Sequence, residues 1–338
     1  MTITTTKADM DAPLPTPPFY TLPNICNLRD AALSVTTSSG AKLRSNVVFR
    51  SADVSKLNID NWKALHILGV AHVFDLRSKP EIDKSLLGTN SNSAENSHTK
   101  TWLETMQSAG VKRTWTPVFQ EKDYSPEKLA VRFAKYMDED VKGFVTAYTS
   151  ILDEAGPAFA TIFKYLADLP AVVSKQEDGE AKERLGALVH CSAGKDRTGL
   201  FFAVLFAFLD VPFEQIANEY NLTELGLRPI RDETVDRLLD SLAFQQYMQK
   251  TQMSGSETVE GQGQAEFSPE VREKGRQAAL RMISARKESM MGSLDMLEKR
   301  FGGARRYMQV QCGLDNGVLE RLRRNLVVVG AEGVRTRM

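Results

Sequence analysis

His190-Cys191-Ser192-Ala193-Gly194-Lys195-Asp196-Arg197-Thr198-Gly199 stands between two apolar runs, Ala187-Leu188-Val189 before it and Leu200 to Leu209 after it. The first run is short enough for a buried strand, and the second is apolar all round, as a buried helix is. A strand-to-helix junction of this kind lies at the carboxyl edge of a parallel sheet, the crevice in which such folds hold ligands. Five residues separate Cys191 from Arg197. That length lets the chain wrap into a loop with its backbone N–H groups pointing inward. The helix that follows adds free N–H groups and the positive end of its dipole. Small Ser192, Ala193 and Gly194 let the backbone approach an anion closely. Arg197 can hold two phosphate oxygens with its planar fork. The predicted phosphate-binding set is Ser192, Ala193, Gly194, Lys195, Asp196, Arg197 and Thr198.

The same field favours the thiolate of Cys191, at the floor of the cradle. Sulfur is a good nucleophile and then a good leaving group, so one hard hydrolysis becomes two easier steps. Taken alone, a cysteine after a core strand is more often a buried structural residue. The spacing to Arg197 and Thr198, the glycines at 194 and 199 and the strand–helix setting favour the nucleophile. His190 is read as orienting the loop through hydrogen bonds, or simply as packing. A nucleotide-binding loop of the form GxxxxGK[ST] is excluded: Val189 stands where its first glycine belongs, and Asp196 follows Lys195.

Outward from the loop, the chain reads as alternating strands and helices. Val47-Val48-Phe49 is a candidate strand. Ile59, Trp62, Leu65 and Leu68 follow at helical spacing, with Gly69 as terminator. Val70 to Asp75 is a second strand, so the three form a βαβ unit and predict a parallel sheet. Val141, Phe144, Val145, Tyr148 and Leu152 mark one helix. Phe159, Ile162, Phe163 and Leu166 mark another, with Pro157 near its start. Two further apolar stripes, Met291 to Phe301 and Val318 to Leu326, make the last third helical. Residues 1–17 read as a disordered tail, 84–101 and 250–270 as polar insertions, and 174–184 as a charged loop. The expected fold is α/β, a small parallel sheet flanked by helices with a helical C-terminal part, in one domain over residues 18–330.

Lys plus Arg and Asp plus Glu are 43 each, which gives no general attraction to nucleic acid or anionic membrane. Cys26, Cys191 and Cys312 cannot all pair, and they read as free thiols in a reducing compartment. No CxxC, HxH or HExxH spacing occurs, so neither a metal nor any other cofactor is expected. The N-terminus lacks the apolar core of a secretory signal. The longest apolar run, Leu200 to Leu209, is far short of the roughly 20 residues that span a bilayer. The chain reads as soluble and cytoplasmic, without stable membrane insertion.

The string HCSAGKDRTG resembles the signature of the bacterial and fungal tyrosine phosphatases with HCxAGKDRTG loops, a tyrosine/serine branch of the protein-tyrosine-phosphatase superfamily. The likeness extends to Asn27-Leu28-Arg29-Asp30, to Phe49-Arg50-Ser51-Ala52, and to Leu68-Gly69-Val70 with Asp75-Leu76-Arg77-Ser78 and Glu81. It continues at Leu297, Phe301-Gly302-Gly303, Tyr307, Leu314 and Leu322-Arg323. It departs at Ala31-Ala32, where the family often has two glycines, and in the long polar insertions. The resemblance implies a phosphatase fold and hydrolysis of phosphomonoesters through a phosphocysteine. It implies phosphorylated protein as substrate, with phosphotyrosine first, dual-specificity possible and phosphoinositides the alternative. A catalytically dead phosphate-binding module is disfavoured, because both Cys191 and Arg197 are present.

The leaving oxygen needs a proton, so a carboxylic acid should stand close to it. Asp196 is the first candidate, since it lies within the loop; similar DR loops in some phosphoinositide phosphatases are thought to use that residue. Asp75, at the end of a predicted strand, is the second, either as acid or as a residue that orients Arg197. Asp123 is the third, because Trp115-Thr116-Pro117 carries no aspartate where related WPD loops have one. Lys195 is read either as a recognition group for a second phosphate or acidic peptide, or as a rim charge.

Overall fold

A computed structural model describes residues 12–87, 101–137, 140–170, 184–241, 244–245, 248 and 268–328. Seven strands occur among them: Arg29–Asp30 (β1), Lys42–Leu43 (β2), Val48–Ser51 (β3), Val70–Asp75 (β4), Lys112–Trp115 (β5), Gly186–His190 (β6) and Val327–Val328 (β7). Five form one sheet in the order β1-β3-β6-β4-β5. β3, β6, β4 and β5 run parallel, and β1 joins the edge antiparallel to β3. β2 and β7 form a separate antiparallel ribbon that ties the last helix back to the N-terminal part. The sheet is therefore mixed, not purely parallel as expected.

The predicted strand–helix–strand unit is present as β3, the Ile59–Leu68 helix and β4. Asn58 caps that helix through a reciprocal pair of bonds with Asn61, and Gly69 ends it at φ 119°, the left-handed region that glycine enters freely. The two strands are not neighbours, however. β6 lies between them, and all five of its residues are buried, as a central parallel strand requires. The strand that carries the loop is thus the middle of the sheet.

The two helical stripes expected around Pro157 belong to one helix, Val141–Ala167, with Pro157 inside it. An interior proline costs about 3 kcal/mol. Phe144, Ile151, Leu152, Phe159, Ile162 and Phe163 are each at most 2% exposed. Each such side chain contributes about 1.5–3 kcal/mol on burial, so the continuous helix wins. The loop helix, Asp196–Phe208, starts before the apolar run and is buried almost all round. Phe201 stacks on Phe163 at 5.0 Å and meets Phe159 edge-on. The C-terminal stripes form the Lys287–Phe301 and Asn316–Leu326 helices, separated by Gly303–Val310. Leu87 and Thr101 belong to a helix end and a helix cap, and Ser268 caps the Pro269–Ile283 helix. The remainder of the two expected insertions, most of the 174–184 loop and residues 1–11 of the tail lie outside the described residues.

A buried ionic cluster braces the loop from behind. Glu219, on the Phe213–Asn221 helix, accepts Arg29 Nε at 2.7 Å and Arg50 Nη1 at 2.5 Å, and all three side chains are buried. Burial pushes the Glu219 carboxyl up, but the two guanidiniums outweigh it and hold it below the usual range. Arg50 also donates to the Gly194 carbonyl at 2.8 Å. Arg29 donates to the Asn27 side-chain oxygen, and the Asn27 amide donates at 3.2 Å to the carbonyls of Ala193 and Gly194. Removing one partner of a buried ion pair strands the remaining charges. Glu219→Ala should therefore cost about 3–5 kcal/mol of unfolding free energy, read from urea melts. A loss below about 1 kcal/mol would show that the cluster does not support the fold.

Candidate active site

The loop leaves β6 at His190 and enters its helix at Asp196. Gly194 sits at φ +62°, and a Cβ there would lie 2.0 Å from the Ser51 carbonyl oxygen, so no other residue fits. The loop carbonyls are turned away from its centre and each is taken. Ser192 O accepts Asp53 N–H at 3.1 Å, and Lys195 O accepts Gly199 N–H at 2.7 Å. Ala193 and Gly194 are held by Asn27 and Arg50. His190 Nδ1 donates to Cys191 O at 3.2 Å. Among the described residues no acceptor takes the backbone N–H groups of Ser192 to Lys195. Carbonyls committed to the surrounding protein, with successive N–H groups left for a ligand, are what an anion cradle requires. Cys191, the first residue after β6, is 2% exposed.

Arg197 presents its fork to Glu81, with Nη1–Oε2 at 2.7 Å and Nη2–Oε1 at 2.6 Å. Ser192 Oγ donates to Glu81 Oε1 at 2.6 Å, and Ser78 donates to Oε2 through both its N–H and its hydroxyl at 3.0 Å. Glu81 entered the sequence reading only as part of a resemblance; here it fixes the orientation of the arginine.

Asp75 lies at the end of β4 beside the loop, but it is fully buried and ion-paired. Arg77 donates to both its oxygens at 2.9 Å, and Arg113 Nη2 to Oδ2 at 2.8 Å. His190 Nε2 is 3.6 Å from Oδ1. Burial pushes the Asp75 carboxyl up, but His190 and the guanidiniums of Arg77 and Arg113 outweigh it and hold it well below the usual range. Burial lowers the His190 pKa, and the Asp75 carboxylate opposes that shift. Asp75 thus has no proton to give near neutral pH. Its geometry opposes the acid role and suits a residue that positions Arg77, which reaches on to Asp53 at 2.6 Å. Asp123 caps its own turn, accepting Gln120 N–H at 3.0 Å and facing Lys128 at 3.3 Å.

Three of the predicted phosphate ligands differ in where their side chains go. Thr198 is fully buried, and its hydroxyl has no partner among the described residues. Lys195 is 3% exposed and turned inward, against both readings made of it. Its ammonium donates to the carbonyls of Met282 at 2.5 Å and Ser284 at 3.2 Å, at the carboxyl end of the Pro269–Ile283 helix. The negative pole there and the faces of Phe144 and Tyr136, at 5.2 and 5.7 Å, draw the cation in. Asp196 is partly exposed, and its Oδ1 accepts Tyr148 Oη at 2.8 Å. Tyr148 was read only as part of an apolar helix stripe.

Among the described residues no helix is long and apolar enough to cross a membrane. Comparison with curated proteins finds no match to the chain. A model of the tyrosine phosphatase family matches residues 20–328. That span takes in the cradle, the Glu219 cluster behind it and the C-terminal helices, and the chain belongs to the tyrosine phosphatase family.

Proposed function

We propose that the protein hydrolyses phosphomonoesters through a phosphocysteine at Cys191, with phosphotyrosine in proteins as its substrate. One observation carries the reading: a cysteine opens a loop whose carbonyls from Cys191 to Lys195 are all bonded to the surrounding protein and whose arginine is held by Glu81. Membership of a tyrosine phosphatase family supports the phosphatase chemistry.

In the first step the Cys191 thiolate attacks phosphorus. The S–P bond forms, the bond to the leaving oxygen breaks, and Asp196 gives that oxygen its proton. The inward N–H groups and Arg197 stabilise the charge that spreads over the remaining phosphate oxygens. In the second step water attacks phosphorus, Asp196 takes back a proton, and the thiolate leaves. Asp196 is favoured because it borders the cradle and is partly exposed, whereas Asp75 is buried and locked as a carboxylate.

The inward turn of Lys195 favours phosphotyrosine over phosphoinositides. A ring carrying several phosphates calls for a second cation at the cradle, and this one is committed to the Met282 and Ser284 carbonyls. The three cysteines are unpaired, which fits a reducing cytoplasm. Residues 18–330 are taken as one catalytic domain, consistent with the family match over 20–328.

Cys191→Ser should abolish turnover, because a hydroxyl does not ionise in this setting, while phosphate or vanadate binding by calorimetry persists. Turnover above about a hundredth of wild type would refute the covalent route. Asp196→Asn should slow phosphotyrosine hydrolysis about a hundredfold or more, remove the basic limb of the pH–rate profile and spare aryl phosphates with an activated phenol. Equal losses on both substrates, with the limb intact, would remove Asp196 from the role.

A further inference from the structure

Asp196 opens the helix that carries Arg197, and two phenols stand behind it. Tyr148 Oη donates to Asp196 Oδ1 at 2.8 Å and lies 2.6 Å from Tyr220 Oη. Tyr148 spends its only proton on the carboxylate, so Tyr220 must donate to Tyr148. The chain therefore runs Tyr220–Tyr148–Asp196. Both phenols are at most 1% exposed, and they come from different helices, Val141–Ala167 and Phe213–Asn221. The other charged or titratable groups facing Asp196 are Lys195, whose ammonium is 3.4 Å from the same oxygen, the adjoining Arg197, and the buried phenol of Tyr136 on the Pro126–Met137 helix. Among the described residues nothing bonds Asp196 Oδ2. One carboxylate oxygen is fixed from inside the protein and the other is left uncommitted.

We propose that Tyr148, backed by Tyr220, positions Asp196 for proton transfer and keeps its proton exchangeable between the two steps; this rests on Asp196 being the acid. The thiolate and a bound phosphate are both anions, and anions beside a carboxyl favour its neutral form. A donor on Oδ1 favours the carboxylate and opposes them. When the proton passes to the leaving oxygen, Tyr148 already bonds the carboxylate that results. Oδ2 then takes a proton from the attacking water, so the proton given in the first step is recovered in the second. Tyr148 is a positioning residue, acting through Asp196.

The test compares Tyr148→Phe, Tyr220→Phe and Asp196→Asn in the full chain, with phosphotyrosine and dinitrophenyl phosphate as substrates across pH. With the donor to Oδ1 gone, the basic limb of kcat should move to higher pH, by about one unit in Tyr148→Phe. Its kcat on phosphotyrosine should fall about tenfold, with KM and the dinitrophenyl reaction nearly unchanged. Tyr220→Phe should move the limb the same way by less, and it decides the matter if Tyr148→Phe does not fold. An unmoved limb with equal losses on both substrates would reduce the pair to packing and overturn the inference. If Asp196→Asn removes the limb while neither phenol variant moves it, the inference fails and the acid assignment stands. If Asp196→Asn keeps the limb, both fail.

Discussion

The site depends on one carboxylate shared by two buried guanidiniums, that of Glu219 between Arg29 and Arg50. An anion cradle needs several successive carbonyls turned outward into the protein, and buried carbonyls without donors are costly. Arg50 and Asn27 supply the donors at Ala193 and Gly194. Both must be held rigidly to do so. Arg29 holds the Asn27 side chain, and Glu219 holds Arg29 and Arg50. The antiparallel edge strand β1 follows from the same requirement, since it brings Arg29 alongside Arg50. A second belt, Asp75–Arg77–Asp53, closes the opposite side and ends on the Ser192 carbonyl through the Asp53 N–H.

The proposed acid lies inside the loop, which changes what the fold must provide. An acid on a separate mobile segment has to close over each substrate. Asp196 is instead fixed by the helix it opens and by hydroxyls from two other helices that pack on it. The glycine at 199 serves the same packing, since a Cβ there would come within 3.0 Å of the Tyr220 ring. Lys195 ties the far side of the loop to the end of the Pro269–Ile283 helix. The loop is thereby gripped by the sheet, by the central helices and by the C-terminal half of the chain.

The strand–loop–helix junction was legible in the sequence because its signals are local: cysteine, small residues and arginine lie within a few residues of one another between two apolar runs. The strand–helix–strand unit was legible for the same reason. The position of β6 between β3 and β4 was not, because periodicity within a segment says nothing about which distant strand it pairs with. The roles of Asn27, Arg29 and Arg50 were hidden likewise; Asn27 meets Ala193 across 166 residues of chain. Lys195 was misplaced because lysine is ordinarily solvated, and only the fold reveals two carbonyls and two aromatic faces waiting for it. Asp75 was expected at the end of its strand and is found there, but the two arginines that hold it ionised depend on the turn after β4 and on β5. Pro157 argued for a helix boundary, and the apolar side chains on both sides of it overrode that argument.

The central claim is a covalent bond between Cys191 sulfur and phosphorus during turnover. Rapid denaturing quench of the enzyme mixed with excess phosphotyrosine, followed by peptide mass analysis, reads it directly. The account predicts the added mass of a phosphoryl group on the peptide that carries Cys191, appearing before product reaches steady state and vanishing when substrate is exhausted. Turnover with no phosphorylated Cys191 at any quench time, or with the phosphoryl group on another residue, would contradict it.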